Sequence, residues 1–343
     1  MINLKTILCI LVSLILIGCA SIKPQPSLLQ QTTNGTIFKK KLTFAKDDEY
    51  VVLITKKGDS LESLAKQYLG DTNKAWLIAD FNKIDHVISK REIVIPLKPQ
   101  NPAGININGY QTIPILCYHR FGDTGHVKLT VTEKRFREQM QYLKDNKYRV
   151  IPMADMYKFI SGEEEIPKKA VIITIDDGYR STYEIAYPIL KELNFPATIF
   201  LYTDFAGAGD AIKWSHARKM TRSGLIDIQP HSKSHPNMSL SRTSESDEEY
   251  RKRILKEIDD PTRKIKKYIK APLHTFAYPY GDTNKMIINH FKNTEYKMGV
   301  TVQPGGNPAY AHPYMLNRTM IFGDHSIEDF ENALITFQNR NLK

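Results

Sequence analysis

At 343 residues the chain exceeds one ordinary domain, which predicts one large unit and a small one. Apolar residues at 41% and charged residues at 25% are ordinary for a globular protein and allow a sizeable core. The formal net charge of +11, from 48 Lys and Arg against 37 Asp and Glu, suits either plain solubility or attraction to an anionic surface such as an envelope polymer. No concentrated basic run alternates with aromatics, which argues against a nucleic-acid partner.

Lys5 precedes an apolar stretch, Ile7–Ile17, too short to span a membrane comfortably and typical of a signal segment. It ends in Leu16-Ile17-Gly18-Cys19, which resembles the bacterial lipobox. The resemblance implies cleavage of residues 1–18 and lipidation of Cys19, hence a lipid-anchored, extracytoplasmic protein of the bacterial envelope; a plain signal peptide or an uncleaved anchor is the alternative. Residues 19–47, rich in Gln, Thr, Ser, Pro and Lys, read as a tether. With Cys9 inside the leader and Cys19 at its end, Cys117 alone would remain a free thiol in a mature domain, and no disulfide framework exists. Its apolar surroundings predict buried packing.

Residues 48–97 predict strand, helix, helix, strand. Glu49–Ile54 is β-rich, Leu61, Leu64, Ala65 and Tyr68 recur at helical spacing after the capping residues Asp59 and Ser60, and Gly70 suits the helix end. Asn73–Phe81 is a second helical stretch, and Arg91–Leu97 a closing strand. Lys57-Gly58-Asp59-Ser60-Leu61, Ile78-Ala79-Asp80-Phe81-Asn82 and Ile93-Val94-Ile95-Pro96 resemble the LysM module. That resemblance implies binding to N-acetylglucosamine-containing glycans. Residues 98–111, rich in Pro, Gly and Asn, read as a linker.

From 112 to 343 strands alternate with helical patterns. Ile113–Tyr118, Ala170–Ile175, Ala197–Tyr202 and Leu225–Gln229 are extended; Glu133–Asn146, Ser181–Asn194 and Trp214–Ser223 are helical. Continuous apolar strands separated by helices predict a parallel sheet covered on both faces, open or closed as a barrel. Such sheets place their sites at the C-terminal strand ends. Asp176-Asp177-Gly178, His231-Ser232-Lys233-Ser234-His235, Tyr118-His119 and Tyr278-Pro279-Tyr280-Gly281 all follow predicted strands. Two imidazoles and one carboxylate converging there would form a facial metal set with open positions. The basic stretch Arg251–Lys270, including Glu257, reads as a solvated helix face broken at Pro261.

Thr174-Ile175-Asp176-Asp177-Gly178-Tyr179, His231-Ser232-Lys233-Ser234-His235 and Phe276-Ala277-Tyr278-Pro279-Tyr280-Gly281 resemble the first three motifs of the polysaccharide deacetylases, the NodB-homology domain of carbohydrate esterase family four. Pro114-Ile115-Leu116-Cys117-Tyr118-His119-Arg120-Phe121 and the Pro-Tyr-Gly form of the third motif look most like the branch acting on poly-N-acetylglucosamine. The resemblance covers about 112–322 and implies an α/β fold, a distorted (β/α) barrel, with a divalent metal, usually zinc. Carried over by position, Asp177, His231 and His235 would bind the metal, Asp176 would be the general base, and the backbone N–H of Tyr280 would support the oxyanion.

The implied function is an envelope-anchored N-deacetylase of an N-acetylglucosamine polymer, either exopolysaccharide or peptidoglycan. A catalytically inactive glycan-binding lipoprotein is the alternative. Two departures bear on it. The third motif lacks the Arg that holds the catalytic Asp in many members, and Arg318 is the candidate replacement. The late Leu-x-x-His that supplies the general acid is not evident; His312 and His325 are the nearest candidates, and each reads better as an exposed structural histidine. His119 reads as packing near the mouth, and Trp214 as core or, alternatively, as a sugar platform.

Overall fold

The computed structural model describes residues 43–123 and 128–340. The leader, Cys19 and most of the tether lie outside them. Among the described residues no helix is long and apolar enough to cross a membrane.

The small N-terminal unit is a three-stranded antiparallel sheet, Thr43–Lys46, Tyr50–Ile54 and Glu92–Pro96, with helices Leu61–Leu69 and Ala75–Asn82 between its last two strands. The order strand, helix, helix, strand is thus present, with one further edge strand from the last residues of the expected tether. Ser60 caps the first helix through Ser63, and Gly70 ends it at φ 78°, where a residue without Cβ is least strained. Alternate strand residues Val51, Leu53, Ile93 and Ile95 bury against Leu64, Ala65 and Ile78 to form a separate core.

Residues 98–111 are not a plain linker. Ile105–Asn106 and Gly109–Gln111 form a hairpin, and the latter pairs with Phe337–Asn339. Its Gly and Pro residues serve turns of a folded element, which composition alone cannot separate from a free connection.

The large unit is a distorted parallel barrel. Ile226–Pro230, Ala197–Leu201, Ala170–Asp177, Ile115–Tyr118 and Thr319–Met320 pair in that order, every pair parallel. Thr275–Ala277 and Met298–Val300 form a second parallel pair, joined to the rest through the Val300–Leu316 bridge. No ladder joins Ile226–Pro230 to Thr275–Ala277. Gln229 spans that gap: its Oε1 accepts from the N–H groups of His274 and Thr275, and its Nε2 donates to the carbonyl of Pro272.

Strand alternation sorts the core into two shells. Val171, Ile173 and Ile175 pack outward against helix residues such as Phe136 and Met140, while Ile115, Ile172, Phe200, Val300 and Leu316 pack together inside. Asp176, in step with Ile172, therefore falls on the inner face.

Two sequence expectations about the basic helix fail. Asp247–Ile269 runs unbroken through Pro261, because Ile254, Ile258, Pro261 and Ile265 form a buried stripe that holds both halves against the barrel. Glu257 lies in that stripe, buried, and not on the solvated face.

The small unit rests on the barrel end where the strands begin. Asp80 pairs with Arg149 at 3.2 Å, Asp85 with Lys147 at 3.0 Å and Glu164 with Lys74 at 3.6 Å. A groove of about 1040 Å3 remains between them, reached by Trp76, Tyr68, Arg149 and Leu225. Pairs this open to solvent contribute little, so the seam is polar and weakly held.

Candidate active site

The sheet register builds the site. Asp177 stands level with Leu201, and Leu201 with Pro230, so Asp176-Asp177 and the loop beginning at His231 emerge at the same height. Asp176 and Asp177 should point to opposite faces of the strand. The backbone breaks that alternation: Asp177 has φ 69°, followed by Gly178 at φ 82°, where a Cβ would collide with Leu201. Ser232, His235 and Tyr280 are also left-handed, at φ 69°, 61° and 62°. Four non-glycine residues in this sparsely populated region, all at one mouth, mark a constrained constellation.

Asp177, His231 and His235 present ligand atoms within 4.8 Å of one another. The two Nε2 atoms are 3.2 Å apart, and Asp177 Oδ1 lies 3.4 Å from that of His235 and 3.8 Å from that of His231. A tetrahedral ion with bonds of about 2.1 Å needs ligand separations of about 3.4 Å, so this donor set fits a divalent cation such as zinc. The Ala277 carbonyl sits 2.8 Å from His231 Nδ1 and turns Nε2 toward the cluster. Ser232 Oγ accepts from the N–H of His235 at 2.9 Å.

Glu257 holds the histidine loop from below. Its carboxylate accepts from the N–H groups of Lys233 and Ser234 at 3.1 and 2.8 Å and from the Ser234 hydroxyl at 2.8 Å. Sequence reading missed it; the signal was its spacing from Ile254, Ile258 and Pro261, masked by the surrounding basic residues.

Asp176 occupies the inner face beside this cluster. Arg318, wholly buried, donates from two nitrogens to its Oδ1 and Oδ2 at 2.6 and 2.7 Å. The same guanidinium donates to the Thr301 carbonyl at 2.8 Å and to Thr174 Oγ1 at 3.2 Å, so its orientation is fixed. Cys117, buried as expected, also places Sγ 3.5 Å from Asp176 Oδ2. Burial opposes ionisation of Asp176, but the Arg318 guanidinium outweighs it and holds the carboxyl well below the usual range. Asp177 goes the other way: burial, then the charge of Asp176, push it up to about 7. Burial pushes His231 down to about 3, leaving its imidazole neutral.

One expectation follows for cation binding. An ion must displace the Asp177 proton below about pH 7, whereas His231 has none to lose, so affinity should fall as the pH drops through that value. Titration calorimetry in buffers of different ionisation enthalpy should find close to one proton released per ion at about pH 6 and fewer at about pH 8. An affinity flat across that range would contradict it.

The other sequence candidates separate clearly. His119 comes to the site: one of its ring nitrogens, Cys117 Sγ and an Asp176 oxygen lie within 4.8 Å of one another, and its Nδ1 is buried without a partner. Tyr280, 60% exposed, sets its ring centroid 4.9 Å from that of His235. His312 is exposed and accepts from the Tyr314 N–H; His325 accepts from the Phe322 N–H in its own turn. Trp214 stacks on Tyr268 at 4.6 Å, partly buried against the core.

Residues 163–299 match the family described as polysaccharide deacetylase, a stretch that contains Asp176, Asp177, His231, His235 and Tyr280 but neither His119 nor Arg318. Among relatives, the poly-β-1,6-N-acetyl-D-glucosamine N-deacetylase of Escherichia coli (strain K12) is 26% identical over 247 residues, 62% of this chain and 37% of that protein. The chain thus spans little more than a third of that relative. The Staphylococcus aureus (strain MRSA252) protein of the same name is 26% identical over 200 residues, 57% of this chain and 69% of its own. Among solved structures, the Streptococcus pyogenes deacetylase PplD in complex with acetate aligns with a TM-score of 0.59 at 26% identity, covering 65% of this chain and 98% of that one. IcaB from Ammonifex degensii, at 19% identity and a TM-score of 0.58, shares the fold over 66% of this chain and 97% of its own. Over residues 163–299 the chain is thus similar to the polysaccharide deacetylase family.

Proposed function

We propose that the chain is a metal-dependent hydrolase of carbon–nitrogen bonds that removes acetyl groups from a poly-N-acetylglucosamine chain. The observation that carries this is the pairing of two differently tuned aspartates at one barrel mouth, one beside two imidazoles and one locked to a buried arginine. The names of the relatives support the substrate class.

Asp177, His231 and His235 would hold the ion, zinc in our reading. When bound, it supplies Lewis acidity, polarising the acetamide carbonyl and acidifying water enough for a weak base to deprotonate it. Asp176 accepts that proton, and Arg318 keeps it ionised and aimed. The Tyr280 backbone N–H donates to the oxyanion as the carbonyl carbon becomes tetrahedral. His119, whose ring nitrogen lies near Asp176, takes up that proton and passes it to the departing nitrogen, and the C–N bond breaks to give acetate and a free amine. This assignment fills the role for which the sequence offered only His312 and His325. His119→Ala should slow acetate release about 10^2- to 10^4-fold while leaving zinc affinity unchanged. Unchanged turnover would remove it from the role.

The 48–97 unit, in this proposal, is a LysM-type glycan-binding module, supported by its strand–helix–helix–strand order and the motifs quoted above. The lipobox-like leader would place the enzyme on the envelope through Cys19. The decisive experiment incubates the zinc-loaded chain with poly-β-1,6-N-acetylglucosamine or with peptidoglycan and assays acetate. Release from the exopolysaccharide is expected. No acetate from either, with zinc bound, would favour an inactive glycan-binding protein.

A further inference from the structure

His235 is in ring contact with two tyrosines. The Tyr280 ring lies 4.9 Å from it. The Tyr202 ring lies 5.3 Å away, stacks on Phe205 at 5.0 Å and 10°, and Phe205 meets the edge of Tyr179 at 5.4 Å and 75°. The Arg120 guanidinium lies over the Tyr179 ring at 5.0 Å and pairs with Asp210. These three rings are half-buried and belong to none of the core clusters among the described residues. They pack on one another and on Arg120, apart from those cores, and stay half-exposed beside the site.

The wall is attached to the backbone that carries the triad. Ile212 donates its N–H to the Gly178 carbonyl at 2.9 Å, Arg180 donates to the Asp210 carbonyl at 2.7 Å, and Tyr179 bridges Ala211. The 204–212 loop is thereby laced to the segment that follows Asp177, and Phe205 and Tyr202 keep a set distance from the ligands.

We propose that Tyr202, Phe205 and Tyr179 form a stacking subsite for the pyranose next to the one whose acetamide reacts, so that the site selects oligomers over the monomer. The inference rests on the deacetylase reading above and names the part of the polymer it engages. A pyranose has an apolar face of C–H groups that covers an aromatic ring, and a neighbouring sugar held in this way positions the reacting amide.

The test separates this subsite from the chemistry. Hydrolysis of 4-nitrophenyl acetate by the zinc-loaded full chain reads the catalytic groups alone, and its competitive inhibition by β-1,6-linked N-acetylglucosamine pentamer or monomer reads occupancy of the barrel mouth. The pentamer should inhibit more tightly than the monomer. Tyr202→Ala with Phe205→Ala should raise the pentamer Ki roughly tenfold, leave the monomer Ki and ester turnover unchanged, and raise the KM for pentamer deacetylation in step. Tyr202→Phe, which keeps the ring, should behave as the parent. An unchanged pentamer Ki, absence of pentamer inhibition, or an equal fall in ester turnover would overturn the subsite. Inhibition by the pentamer without acetate release would instead overturn the deacetylase reading and leave the subsite standing.

Discussion

Arg318→Met should yield a chain about 3–5 kcal/mol less stable, because removing one partner leaves a buried carboxylate uncompensated. Acetate release should fall by a factor of at least about 10^2, since Asp176 then takes up a proton and is lost as a base. The loss should exceed that of an ordinary core substitution, because Thr301 O and Thr174 Oγ1 lose their donors at the same time. Arg318→Lys should recover only part of it, one ammonium being unable to meet both carboxylate oxygens. Denaturant midpoints and acetate assays at low temperature separate folding from turnover. Unchanged turnover in the methionine variant would exclude a positioning role.

Asp176→Asn and Asp177→Asn should fail in different ways. The first removes the base while keeping shape, and turnover should drop about 10^2- to 10^4-fold with zinc still bound. The second removes a ligand, so zinc affinity should collapse first and activity with it. Zinc content measured beside acetate release distinguishes them. Acetate that persists in Asp176→Asn would remove the proposed base, and zinc retained at full affinity by Asp177→Asn would remove the proposed ligand.

Much of the site was legible because strand ends have a sequence signature. Val171–Ile175 is a continuous apolar run that can only be buried on both faces, so Asp176 and Asp177 had to emerge at its end. What was hidden depends on distant chain segments. That Arg318 faces Asp176 is set by Thr319–Met320 pairing beside Ile115–Tyr118, a register no local pattern contains. His119 read as bystander packing because a lone histidine carries no spacing. Glu257 and Pro261 were misread together: charge dominated the local composition, whereas the buried stripe depends on which helix face meets the barrel. The turns of 98–111 looked like a linker because their strand partner, Phe337–Asn339, lies more than two hundred residues away.

The seat of the small unit has a consequence for how a polymer could be handled. It rests where the barrel strands start, whereas Asp176, Asp177 and the histidine loop crown the ends where they finish. On the proposed function, a sugar held by the small unit would not be the sugar presented at the barrel mouth, so the two would not act as one continuous cleft. If the small unit grips glycan, it works as a mooring: it raises the effective concentration of the same long molecule at the far end without adding a contact there. Such tethering favours chains long enough to loop around the barrel, and does nothing for short ones.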